Sequence, residues 1–150
     1  MSLDTRLRRL NERILPGRLM SAPEWIVLGV NNRCNLHCMM CDVGTGNAET
    51  NFGGNLVGAL TRSMSWDLYE RILDQMQAFA PKAKLGFAFT EPLAWPLIVK
   101  AIKTATGRGI YTSMTTNGLL LPRMAQSVAQ AGCRELFVSI DGPEAIHNKI

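Results

Sequence analysis

Apolar runs rich in β-formers, at residues 25–30, 85–89, 110–115 and 135–140, are separated by stretches whose apolar residues return at helical spacing. This alternation constrains the fold more than any other feature. After the first unit the strand–helix–strand pattern repeats about every twenty-five residues, which implies right-handed crossovers and a parallel sheet. Both faces of such a sheet are expected to be covered.

The intervening helices can be read individually. The first places Tyr69, Ile72, Leu73 and Met76 on one stripe, with Ser65 as N-cap and Asp67 in its first turn. A second opens at Pro96, carries Leu97, Ile98, Ala101, Ile102 and Ala105, and stops near Gly107 and Gly109. A third opens at Pro122, buries Met124, Ala125, Val128 and Ala129, and stops at Gly132. Residues 42–63 hold several glycines, few large apolar residues and no clear period. They read as an inserted loop able to help cover a site.

With 150 residues, the chain is one domain or a piece of one, and 47% hydrophobic against 19% charged residues excludes a disordered tail or a disulfide miniprotein. Much of the net charge of +4 sits at Arg6, Arg8, Arg9, Arg13 and Arg18. Leu3, Leu7, Leu10 and Ile14 make this start an amphipathic helix, expected to pack on its own domain. The alternative is a basic face for nucleic acid or an acidic membrane surface. No stretch has the apolar length to cross a bilayer, and the start is too polar for a signal peptide. The cytoplasm is the expected compartment.

Three of the four cysteines form Cys34-x3-Cys38-x2-Cys41, just beyond the first strand. Three soft thiolates on one short loop can converge on a metal or cluster. Four would saturate a [4Fe–4S] cube, so three leave one iron without a protein ligand, open to substrate. The alternative is a zinc site completed by His37 or a distant ligand such as Cys133. His37 is crowded by Cys38, and no second C-x2-C pair follows at zinc-ribbon spacing. Cys133, between a helix and a strand, reads as a small buried hydrophobe.

The residues beyond each strand add to this. Asn32-Arg33-Cys34-Asn35-Leu36-His37-Cys38-Met39-Met40-Cys41 resembles the signature loop of the radical S-adenosylmethionine (radical SAM) superfamily. Phe89-Thr90-Glu91-Pro92 is similar to that family's Gly-Gly-Glu-Pro motif, with Phe89 and Thr90 in place of the glycines. Thr115-Thr116-Asn117-Gly118 is similar to its Thr-Asn-Gly, and Ser139-Ile140-Asp141-Gly142 to its Ser-x-Asp-Gly.

The resemblance implies that Cys34, Cys38 and Cys41 ligate a [4Fe–4S] cluster whose open iron is chelated by the methionine part of S-adenosylmethionine. One electron then cleaves the sulfonium, and the 5′-deoxyadenosyl radical abstracts hydrogen from the substrate. It places Met40, where the family often has an aromatic residue, near the adenine, packing by its thioether; the plainer role is packing within the loop. Glu91 would accept from the α-ammonium, with Thr90 as a substitute for the missing glycines. Asn117 would position cofactor or substrate, unless Asn117-Gly118 is only a turn pair. Ser139 would bind the methionine carboxylate or ribose, and Asp141 would face the substrate, alternation having put the two on one face. For Glu91 and Asp141 the plainer readings are an exposed turn residue and a turn before Pro143. His147 stands where family members resemble this chain.

The implied fold is α/β: the first four strand-helix units of a partial (β/α)6 TIM-like barrel, residues 25–150, preceded by a basic helical extension at 1–24. Such barrels gather their sites at the C-terminal ends of the strands. An unprotected apolar edge after strand four is a hazard that natural proteins avoid, so the chain is expected to be a piece of a longer enzyme, inactive by itself. A noncatalytic cluster-binding relative is the other reading. The implied partners are an electron donor such as flavodoxin or ferredoxin, and a substrate that is a peptide, a small molecule or RNA.

Overall fold

The computed structural model describes residues 3–14, 21–58, 60 and 62–150; Arg18 and the side chain of Arg8 lie outside the described residues. Four strands, β1 (Trp25–Leu28), β2 (Lys84–Phe87), β3 (Thr112–Thr116) and β4 (Glu135–Val138), form one sheet in sequence order. Every neighbouring pair is parallel, with Leu28 beside Phe87, Phe87 beside Met114 and Met114 beside Leu136. Such a sheet with helices between its strands is the wall of a partial TIM-like barrel. The alternation therefore predicts the architecture. The strands are shorter than the apolar runs: Val30, Phe89, Ile110 and Ile140 lie outside them.

Helices α4 (Trp66–Phe79), α5 (Ile98–Gly107) and α6 (Leu121–Gln130) occupy the crossovers. Ser65 caps α4 by accepting the Leu68 N–H, with Asp67 in the first turn as expected. A 3₁₀ turn, Pro92–Ala94, precedes α5, which begins at Ile98 instead of the expected Pro96 because Pro96 and Leu97 form a turn, while α6 keeps Pro122 in its first turn. Of the apolar residues foreseen on α6, Val128 is buried and Met124 half-buried, but Ala125 and Ala129 are exposed.

The core lies between these helices and one sheet face, where Leu85, Phe87 and Met114 meet Leu73, Met76, Ile98 and Ile102. Each such side chain contributes about 1.5–3 kcal/mol on burial. Tyr69 stands among Trp66, Phe87 and Trp95, with ring centroids 5.5, 6.3 and 5.7 Å away, and donates its hydroxyl to the Ala101 carbonyl at 2.8 Å. Burial pushes its pKa far above the usual phenol range.

Three expectations need correction. The second sheet face is not covered: Trp25, Val27, Thr115 and Phe137 are exposed along it, because the four strands form an open wall and, among the described residues, no further strand faces it to fill the barrel interior. Residues 42–63 are not all loop, but hold the short helices α2 (Asp42–Thr45) and α3 (Asn51–Leu56). Their turns are set by polar bonds instead of an apolar stripe, since Asp42 accepts from Asn47 and Thr50, and Thr50 caps α3 through the Gly53 N–H. Finally, α1 (Leu3–Ile14) forms, but Leu3, Leu7, Leu10 and Ile14 are exposed instead of packed.

Candidate radical-enzyme site

The chain leaves β1 through Asn31, whose buried side chain organises the turn into the cysteine loop. Its Nδ2 donates to the Glu91 carbonyl at 2.9 Å, while its Oδ1 accepts the Arg33 N–H at 3.0 Å and lies 2.7 Å from the Thr90 hydroxyl. Cys34, Cys38 and Cys41 follow, all half-buried and all free thiols. The Cys41 N–H closes a turn onto the Cys38 carbonyl, and Cys41 N-caps α2 without using its sulfur. Helix α2 then packs on the loop. A Cβ at Gly44 would stand 2.5 Å from the Cys38 carbonyl oxygen and 2.6 Å from its nitrogen, a space only glycine leaves open.

One cavity of about 260 Å³ at the C-terminal ends of the strands gathers the candidates. Cys34, Cys38, Cys41, Met40, Thr90, Glu91, Asn117, Ser139 and Asp141 all line it, together with Val43, Phe89, Thr115 and Thr116. Met40 is exposed at its rim.

Glu91 is 1% exposed, which removes the reading of an exposed turn residue. Its Oε1 accepts the Leu93 N–H at 2.9 Å and the Thr116 hydroxyl at 2.8 Å, and its Oε2 accepts the Asn117 N–H at 2.9 Å. The carboxylate thus ties the ends of β2 and β3 together, with lone-pair capacity remaining on Oε2. Thr90 spends its proton on Asn31 and lines the cavity as an acceptor.

Asn117 is both a turn residue and a site residue. Its Oδ1 accepts the Leu119 N–H within the turn, while Nδ2 donates to Asn35 Oδ1 at 2.7 Å and stands 3.7 Å from Cys34 Sγ. Ser139 is anchored by its N–H on the Thr116 carbonyl at 2.9 Å. The Asp141 N–H donates to His147 Nδ1 at 3.4 Å, which ties the last residue of the short helix α7 (Glu144–His147) to the segment that follows β4. Cys133 lies at the opposite end of the sheet, half-buried, with its thiol donating to the Glu135 carbonyl at 3.3 Å. Asn31, Asn35 and Thr116 were missed by sequence reading. Only the position of Asn31 directly after an apolar run could have marked it.

The donor set suits an iron–sulfur cluster. The buried Asn35 Nδ2 has no hydrogen-bond partner, a donor beside Cys34 suited to a sulfur acceptor. Burial, then the charges of Cys34 and Cys41, raise the Cys38 thiol above its usual range, so positive iron would relieve a crowd of thiolates. Among the described residues no three His, Cys, Asp or Glu side chains converge on a single metal ion.

A parallel barrel wall carrying three cysteines beyond its first strand, and a cavity at the strand ends, defines a cluster-dependent radical enzyme class. A profile of the Radical SAM superfamily matches residues 28–150, and the chain belongs to that superfamily. Its members use a [4Fe–4S] cluster and S-adenosylmethionine. The chain is 27% identical over 128 residues to the AdoMet-dependent heme synthase of Methanosarcina barkeri, covering 85% of this chain and 34% of that one. It is 28% identical over 124 residues to the PqqA peptide cyclase of Rhodopseudomonas palustris, covering 82% and 30%. It is 30% identical over 127 residues to the GTP 3′,8-cyclase of Rippkaea orientalis, covering 81% and 36%. The chain thus spans about a third of the length of these curated relatives. No helix among the described residues is long and apolar enough to cross a membrane.

Proposed function

We propose that residues 25–150 form the N-terminal part of a radical SAM core domain, extended by the basic segment 1–24, and that the whole protein abstracts hydrogen from its substrate. The convergence of the three free cysteines and the six other candidates on one cavity carries this reading. Cys34, Cys38 and Cys41 would hold the cluster. Bound there, it supplies the electron that cleaves S-adenosylmethionine to methionine and a 5′-deoxyadenosyl radical. Asn117 directs its Nδ2 toward the Cys34 sulfur, and the buried, unpartnered Nδ2 of Asn35 is a second donor beside the same cysteine. Glu91 offers its remaining Oε2 capacity to the α-ammonium while holding two strand ends in register, and Thr90 contributes an acceptor beside it. Ser139 would take the carboxylate or ribose, Asp141 would face the substrate, and Met40 would pack on the adenine.

By their names the relatives above make a heme, cyclise a peptide and cyclise a nucleotide, which supports a small molecule or a peptide as substrate, with RNA as the third candidate. A flavodoxin or ferredoxin is the proposed electron donor. Free thiols at the site suit a reducing compartment, the cytoplasm. Anaerobic reconstitution followed by iron, sulfide and 5′-deoxyadenosine assays on the whole protein tests the proposal. Stoichiometric cluster and reductant-dependent 5′-deoxyadenosine are expected. Zinc in place of iron, or a cluster without cleavage, would overturn it in favour of a structural module or a noncatalytic relative.

A further inference from the structure

Phe89 is the only non-glycine residue among those described with a positive φ, 82°. A side chain in that backbone region is strained, and such strain persists where the surroundings enforce it, often at functional sites. The ring itself is 56% exposed, so its own burial does not explain the position. One side of it lies against Gly29, where a Cβ would meet Phe89 Cδ2 at 3.3 Å. The other contact is Phe52 on α3, with ring centroids 6.3 Å apart and planes inclined by 42°. Glycine would fit the backbone and leave that wall open.

The pair forms one wall of a second cavity of about 270 Å³, lined by Gly29, Asn31, Phe52, Asn55, Leu56 and Phe89. Phe89 is shared with the cysteine cavity. No ionisable group lines the second compartment. Asn31, whose amide is already bonded to Glu91, Arg33 and Thr90, adds little polarity. Asn55 donates its Nδ2 to the Asn51 carbonyl at 2.6 Å, and what remains beside Gly29 is the two phenylalanine rings and Leu56, a surface that suits a planar, uncharged aromatic group.

We infer that this compartment is a substrate subsite for an aromatic ring, with Phe89 as the divider that holds the ring beside the reacting centre. The inference rests on the radical SAM reading for its role, but the binding itself does not. Fluoroindole, followed by fluorine NMR, is therefore titrated into the cluster-free chain, with iron and sulfide uptake measured in a separate sample. Saturable binding is expected, weakened at least about tenfold by Phe52→Ala and by Phe89→Gly. Iron and sulfide uptake should stay unchanged in both variants, and the thermal midpoint of Phe89→Gly should hold or rise as the positive φ is relieved. Absence of saturable binding, an affinity in either variant unchanged from that of the unaltered chain, or joint loss of probe and cluster would overturn the subsite. Failure of the unaltered chain to take up a cluster would instead count against the proposed function and leave the fluoroindole result to stand on its own.

Discussion

The Glu91 carboxylate accepts the Thr116 hydroxyl at 2.8 Å, linking the loop after β2 to the last residue of β3. Through its other oxygen it also holds the Asn117 N–H, and Asn117 in turn reaches the cysteine loop at Asn35. In the proposed site, cofactor geometry would therefore depend on a residue whose side chain is buried inside the wall.

Replacing Glu91 by Gln should harm both this tie and cofactor binding. An amide presents an N–H pair where a backbone or hydroxyl donor already points, and removes the charge an ammonium would meet. A loss of about 1–3 kcal/mol in unfolding free energy is expected, with weaker S-adenosylmethionine binding and retention of the cluster. Denaturant unfolding and calorimetry check this. Unchanged values in both would return Glu91 to a passive role.

Changing Cys34, Cys38 or Cys41 to Ala should each remove most of the iron and sulfide, because three ligands are the minimum the loop supplies. Cys133→Ala should not, since that thiol sits at the far end of the sheet. Equal iron loss in the Cys133 variant sinks the ligand assignment.

Gly44→Ala should disturb cluster binding although it touches no ligand sulfur. Its Cβ would overlap the Cys38 backbone at 2.5–2.6 Å, so α2 or the cysteine loop must shift. A reconstituted cluster yield below half that of the unaltered chain, with the far-ultraviolet spectrum unchanged, is the expected order of effect. A normal yield would mean that the loop can move freely relative to α2.

Cluster uptake should depend on pH in one direction. Burial and neighbouring thiolates raise the Cys38 pKa, so folding favours its protonated form, and iron must displace that proton. Uptake is therefore strongest at alkaline pH, within and above the thiol range, and falls as pH drops through it. Each displaced proton makes this about tenfold per pH unit. Iron retention measured at a series of pH values decides it, and a flat profile would count against thiolate ligation by this loop.

The 150-residue chain should self-associate through the apolar surface around β4. Leu136, Phe137, Val138 and Ile140 are all exposed there, at the edge of a parallel sheet. Sedimentation should show concentration-dependent association, reduced by Phe137→Lys. A monomer at all concentrations would show that this edge is protected.

The alternation of strands and helices, the Ser65 cap, the three-cysteine loop and the residues that follow each strand are legible in the amino-acid order alone. These are local signals: apolar period, capping chemistry and unusual residue types at short spacing. The same order left open whether the strand-end residues share a site, because that depends on partners far apart in the chain. Asn31 meets Glu91 across 60 positions, and Asn117 meets Asn35 across 82. Only the tertiary structure decided that Glu91 is buried, that Thr90 spends its proton on Asn31 and that the inner sheet face is exposed. The positive φ of Phe89 belongs to the same class. The Phe89 ring stands against Gly29 and Phe52, distant in the chain, and no local propensity of phenylalanine foretells its backbone conformation.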